Sequence, residues 1–127
     1  MPTAPTAFAE ATKITLNNNV MRNRVLSLYR RYLRHSPTFV ELYELDLPVA
    51  AVRTKIRQEF ERNRFQKDIN IINILYAKGQ MEFQELVNFW KQNAHVMRYF
   101  ENDGQTRFNE KVVPDRSFAT RFLKGYN

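Results

Sequence analysis

Apolar residues recur at helical spacing along most of the chain. At 3.6 residues per turn Met21, Val25, Leu28 and Tyr32 share one stripe, Tyr29 lies at its border, and Arg30 and Arg34 point away. The spacing predicts a helix over 17–35 with a core face and a cationic outer face. Ser36-Pro37 predicts its end, because the residue before a proline avoids helical geometry. In the connector 37–47, Phe39, Val40, Leu42, Tyr43 and Leu45 are too apolar for a free loop, so it is expected to pack as a short turn against the helices.

Asp46 and Pro48 are start signals for a second helix over 48–63, since proline tolerates the first turn and an acid suits the positive end of the helix dipole. Val49, Val52, Ile56 and Phe60 form its stripe, and Arg53, Arg57 and Arg64 fall along one border, within about 40 to 80 degrees of the stripe's centre. Guanidinium groups beside an apolar groove suit a ligand that combines phosphate or carboxylate with an oily part. A third helix begins near Asp68 and turns Ile69, Ile72, Leu75 and Tyr76 inward, with Lys78-Gly79 as a cap or kink. A further helical stretch over 80–94 places Phe83, Leu86, Val87 and Trp90 on one face. Phe89 projects about 120 degrees from that face, an exposed aromatic that marks a candidate subunit interface.

The two ends lack this periodicity. Residues 1–14 are rich in Pro and Ala and read as a flexible or partner-ordered lead. Over 101–127 a turn at Asn102, Asp103 and Gly104 and a break at Pro114 separate Phe108, Phe118, Phe122 and Tyr126, scattered among cations. A tail this aromatic is expected either to fold back on its own helices or to lie over neighbouring subunits. With no internal repeat and no β-period segment, the reading is all-α: a bundle over 15–100 with a lead and an irregular C-terminal extension.

Composition narrows the function. The 127 residues, 43% hydrophobic, suffice for one domain with a modest core. A net charge of +7 favours an acidic partner, whether nucleic acid, an anionic membrane surface or a negatively charged protein. The absence of cysteine excludes thiol nucleophiles, disulfides and cysteine-held metal sites in this chain. Neither His35 nor His95 has a second His or a carboxylate at i+4, so both read as structural and no metal is expected. No run approaches the ~20 apolar residues of a membrane span. The first fifteen residues hold neither a signal-peptide core nor an Arg-rich transit pattern, which leaves the compartment open on chemistry alone. No nucleophile with a plausible base is evident, and three glycines cannot build phosphate loops, so the chain reads as non-catalytic. The pairs Glu59/Glu61 and Glu82/Glu85 fit solvated faces or salt-bridge partners.

Leu28-Tyr29-Arg30 near the start of a helical bundle, followed by Val52-Arg53-Thr54-Lys55-Ile56-Arg57-Gln58-Glu59-Phe60, resembles the LYR-motif family of small mitochondrial proteins. The stretch Trp90-Lys91-Gln92-Asn93-Ala94-His95-Val96-Met97-Arg98-Tyr99-Phe100 is similar to the branch of that family that serves as accessory subunits of respiratory complex I. The resemblance implies a three-helix bundle on the matrix side of the inner mitochondrial membrane, docking a mitochondrial acyl carrier protein. The chain would have no cofactor of its own; the partner would contribute an acyl-phosphopantetheine arm to the bundle interior. Val25, Leu28, Tyr29, Val52, Ile56 and Phe60 would form the acyl channel, and Tyr29, Arg30, Arg31, Arg34, Arg53 and Arg57 would contact the carrier. Phe89, Phe108, Phe118 and Phe122 would meet neighbouring complex I subunits, supporting assembly and ubiquinone-reductase activity. An iron-sulfur assembly adaptor is the rival within the family. A small nucleic-acid-binding bundle is the rival outside it, disfavoured because the cations spread over several helices without a recognition helix.

Overall fold

The computed structural model describes residues 4–101 together with 122, 123 and 125. Four helices follow in order: α1 (Asn18–Leu42), α2 (Val49–Arg62), α3 (Ile69–Val87) and α4 (Asn93–Glu101). Two starts are capped by short polar side chains: Asn17 accepts from the Asn19 backbone N at 2.9 Å and Asp68 from the Asn70 backbone N at 2.9 Å. Both α2 and α3 pack on α1, while they scarcely meet each other.

Pro37 lies inside α1 instead of ending it. Proline cannot donate to the carbonyl four residues back, here that of Leu33. The Ser36 hydroxyl donates to the Leu33 carbonyl instead, at 2.7 Å, and accepts from Arg53 Nε at 3.0 Å. The first six residues of the expected connector, 37–42, are thereby the end of α1, and His35 lies within the helix. Ser36 is fully buried, so Ser36→Ala removes a substitute donor that water cannot replace. It should cost about 1–3 kcal/mol, read as a lower denaturation midpoint at unchanged m-value.

Gly79 neither caps nor kinks α3. It lets α1 come close: a Cβ there would stand 3.2 Å from Leu28 Cδ2, and the Tyr32 hydroxyl donates to the Gly79 carbonyl at 2.7 Å. Helix α3 therefore runs unbroken to Val87, well short of the expected 94. Phe89 then adopts a left-handed backbone (φ 58°), turning the chain into α4. This turn swings Trp90 off the core face, where it is exposed.

Phe83, completely buried, anchors one core cluster with Met21, Leu28, Tyr32, Phe39, Tyr76 and Val87. A second cluster joins Tyr43, Leu45, Val52 and Val96. From Pro5 onward the lead contacts the helices of its own chain. Phe8 packs edge-on against His35 and Phe83 at 5.5 and 5.6 Å, and Gln80 Nε2 donates to the Phe8 carbonyl at 2.8 Å. Further along, Thr15 N donates to Asn73 Oδ1 at 3.0 Å and Asn73 Nδ2 returns a bond to the Thr15 carbonyl at 2.9 Å.

Glu10 joins this strap to the bundle, accepting from Tyr76 Oη at 2.8 Å and from Arg24 Nη2 at 3.1 Å. Partial burial works to raise its pKa, but the bonds from Tyr76 and Arg24 and the charges of Arg24 and Arg31 outweigh it and hold the carboxyl below the usual range. A folded-state pKa below the unfolded one contributes stability that is complete above the unfolded value and is lost as pH falls through the folded value. Acidification below pH ~4 should therefore loosen the strap first, seen as faster amide exchange or proteolysis within residues 5–15 while the α1–α3 core stays protected.

Candidate functional site

A cavity of about 800 Å³ lies between the three long helices. Val25 and Leu28 line it from α1, Val52, Ile56 and Phe60 from α2, and Ile69, Ile72, Leu75 and Tyr76 from α3. It exists because α2 and α3 both lean on α1 while diverging from one another. At one end stand the exposed polar residues Asn18, Arg22, Asn63, Arg64 and Lys67. At the other the walls are buried and apolar, Phe39, Leu45 and Val52 among them.

Of the six residues assigned to a channel from sequence, Val25, Leu28, Val52, Ile56 and Phe60 line this cavity. Tyr29 does not. Its ring meets Phe60 edge-on at 5.2 Å, so Tyr29 braces the α1–α2 seam beside the cavity and fixes a wall residue from behind.

The cations expected to act together divide between faces. Arg30, Arg34, Arg53 and Arg57 are exposed and lie outside the cavity lining. Arg53 bonds Ser36, and Arg57 Nε pairs with Glu61 Oε1 at 3.0 Å. Arg31 points toward α3: its Nη2 donates to Gln80 Oε1 at 2.9 Å, lies 3.6 Å from the Glu10 carboxylate, and its guanidinium sits 5.6 Å from the Phe83 ring centroid. Successive residues on a helix diverge by about 100 degrees, so adjacent arginines cannot present one surface. Arg31 is thus turned away from Arg30 and engaged by its own chain.

The exposed cations that line the cavity are Arg22, Arg64 and Lys67. Arg64 sat on the border of the second helical stripe, but nothing in the sequence brings residues 22 and 67 to it. Lys55 is a further surprise, buried in the cavity wall and paired with Glu59 at 3.4 Å. Burial, with the nearby Glu82 charge, pushes the Tyr32 hydroxyl well above the ordinary phenol range, so it stays a proton donor to Gly79 at any physiological pH.

Among the proposed interface aromatics, Phe89 is 45% exposed with its ring 5.2 Å from Tyr43, and Phe122 is exposed. Phe108 and Phe118 lie outside the described residues. His35 sits among aromatic rings with Nδ1 2.9 Å from the Arg31 carbonyl, and His95 Nδ1 accepts from the Gln92 backbone N at 3.1 Å. No described helix is long and apolar enough to cross a membrane.

These features define an all-helical bundle built around an elongated apolar cavity with a basic rim. The family described as Complex 1 protein (LYR family) matches residues 23–85, the span from early α1 through nearly all of α3. The chain is 25% identical over 88 residues to NADH dehydrogenase (ubiquinone) 1 alpha subcomplex subunit 6 of Dictyostelium discoideum, covering 69% of this chain and 71% of that protein. It is 30% identical over 86 residues to the protein of the same name from Arabidopsis thaliana, covering 65% of each.

Proposed function

We propose that this chain is a non-catalytic accessory subunit of mitochondrial respiratory complex I, on the matrix side of the inner membrane, and that it holds an acylated acyl carrier protein. The complex I assignment rests on the names of its relatives. The observation that carries the carrier reading is the hollow interior: a volume of about 800 Å³ with apolar walls and a rim bearing Arg22, Arg64 and Lys67. A packed domain rarely keeps such a space, because voids forfeit contacts on every side. A long acyl chain fills it, each methylene contributing about 0.8 kcal/mol on burial.

The rim cations then take the phosphate of the prosthetic arm, where an arginine fork is worth most when desolvated. Arg30, Arg34, Arg53 and Arg57, exposed on α1 and α2, meet carboxylates of the carrier's acidic surface and act mainly on association rate. Arg31 contributes to the carrier only if Glu10 releases it. The carrier is the only source of a prosthetic group in this reading, and neighbouring complex I subunits cover Phe89 and the region of Phe122.

Affinity purification from mitochondria followed by intact-mass spectrometry tests the reading. The expected result is co-recovery of a carrier whose mass includes phosphopantetheine and a long acyl chain, together with complex I subunits. Recovery with an unacylated carrier, or with a cysteine desulfurase in place of complex I, would count against it. Phe89→Ala should leave the isolated chain folded, since the ring is about half exposed, yet reduce complex I assembly or its ubiquinone-reductase rate. A large fall in the melting temperature of the isolated chain would contradict that assignment.

A further inference from the structure

Helix α4 lies beyond the residues that match the family, 23–85, and yet it forms part of the cavity wall through Val96, Tyr99 and Phe100. Burial changes sign along the cavity. The rim is polar and exposed, whereas Val96 is 7% exposed and packs in one cluster with Leu45 and Val52. From Asn63 at the rim to Val52 near this floor, α2 spans about 16 Å at 1.5 Å per residue.

The floor is tied down. Asn93 Nδ2 donates to the Tyr43 carbonyl at 2.7 Å, and the Tyr99 hydroxyl donates to Glu82 Oε2 at 3.2 Å. Just before the helix, Lys91 Nζ pairs with Glu82 at 2.7 Å and Glu85 at 3.0 Å. Partial burial would lower the Lys91 pKa, but these two glutamates outweigh it and hold the ammonium charged. A wall fixed to α1 and α3 in this way yields little to a chain pressing on it.

We infer that α4 is the end wall that limits the length of acyl chain this protein accepts, with Val96 the side chain against which the methyl end comes to rest. This rests on the reading of the cavity as an acyl site. Up to the wall, each added methylene moves from water into the cavity and tightens binding about fourfold. Beyond it, the surplus must fold back or stay in water, so affinity stops rising. Chain length is thus set by a segment outside the family match.

The test uses the full-length protein and an acyl carrier protein loaded with a ladder of saturated chains differing by two carbons. Dissociation constants are measured for the wild type, Val96→Phe, Val96→Ala and Met97→Ala. Met97 packs on the same cluster without lining the cavity, so its truncation reports general loosening of α4. Wild-type affinity should climb and then break at one length. Val96→Phe should move the break to shorter chains, Val96→Ala to longer ones, and Met97→Ala should leave it in place. Thermal unfolding of each variant checks folding, and if Val96→Phe does not fold, the shift in Val96→Ala decides. A break at the same length in wild type and both Val96 variants overturns the end wall while leaving the acyl site standing. Equal binding of acylated and unacylated carrier by the wild type overturns the acyl site and the end wall with it.

Discussion

Ile56→Trp is expected to separate folding from function more sharply than any other single change. Ile56 lines the cavity from the middle of α2 and touches both core clusters, so a larger ring there projects into space that no described side chain fills. Filling a cavity generally holds or raises stability, provided the new side chain finds room, and about 800 Å³ leaves ample room. The isolated variant should therefore melt at or above the wild-type temperature. Carrier binding should collapse, because blocking the passage for four to six methylenes removes about 3–5 kcal/mol, a loss of roughly 10²- to 10⁴-fold in affinity. Calorimetric melting of the free protein and titration with acylated carrier give the two readouts. Unchanged carrier affinity at unchanged stability would show that the acyl chain does not run past α2.

The same residue shows what the sequence could and could not convey. Helical periodicity identified the apolar stripes of α1, α2 and α3, and with them five of the six cavity-lining residues named in advance, since facing an interior is a property each helix carries by itself. Periodicity cannot say whether that interior is filled or hollow, because this depends on how α2 and α3, both packed on α1, sit relative to each other. Tyr29 looked like a wall residue for the same reason: its border position is compatible with the cavity or with the seam, and only the Phe60 ring beside it decides.

The misreadings elsewhere have a common cause, a local rule overridden by a partner distant in sequence. Pro37 should have ended α1, but a serine one residue earlier supplies the missing donor and an arginine 17 residues away holds that serine in place. Gly79 looked like a break, whereas its role is the close approach of Leu28 from another helix. Arg31 was named with Arg30, Arg34, Arg53 and Arg57 as a carrier contact, yet in the free chain Glu10 and Gln80 hold it. The lead was unreadable because much of its order comes from contacts 58 to 83 residues away, among them Thr15 to Asn73 and Pro5 to Asn88, which no window of sequence contains. Arg22 and Lys67 escaped notice as rim cations because the rim is assembled from the start of α1 and the turn before α3.

Phe83→Ala should produce the largest loss of stability, at a residue that does not itself line the cavity. Phe83 has no exposed surface and meets Tyr32 and His35 at 5.1 Å, Phe8 at 5.6 Å and Phe39 at 6.4 Å. It is thus the side chain on which α1, α3 and the lead converge. Truncating a fully buried phenylalanine costs about 3–5 kcal/mol, a large fraction of the roughly 5–15 kcal/mol that holds a domain folded. For a chain of this size, that predicts a melting temperature lower by about 10 °C or more. Because Phe83 does not line the cavity, the variant that remains folded should still take the acyl chain. Ligand binding to the folded state alone adds about 2.7 kcal/mol at a hundredfold excess over the dissociation constant, so acylated carrier should restore much of the lost melting temperature. Unacylated carrier, which leaves the cavity empty, should restore far less. A variant that acylated carrier fails to rescue, while still folding in the cold, would mean that the aromatic cluster shapes the cavity as well as supporting it, and that the division between a packed side and a hollow side of α1 is wrong.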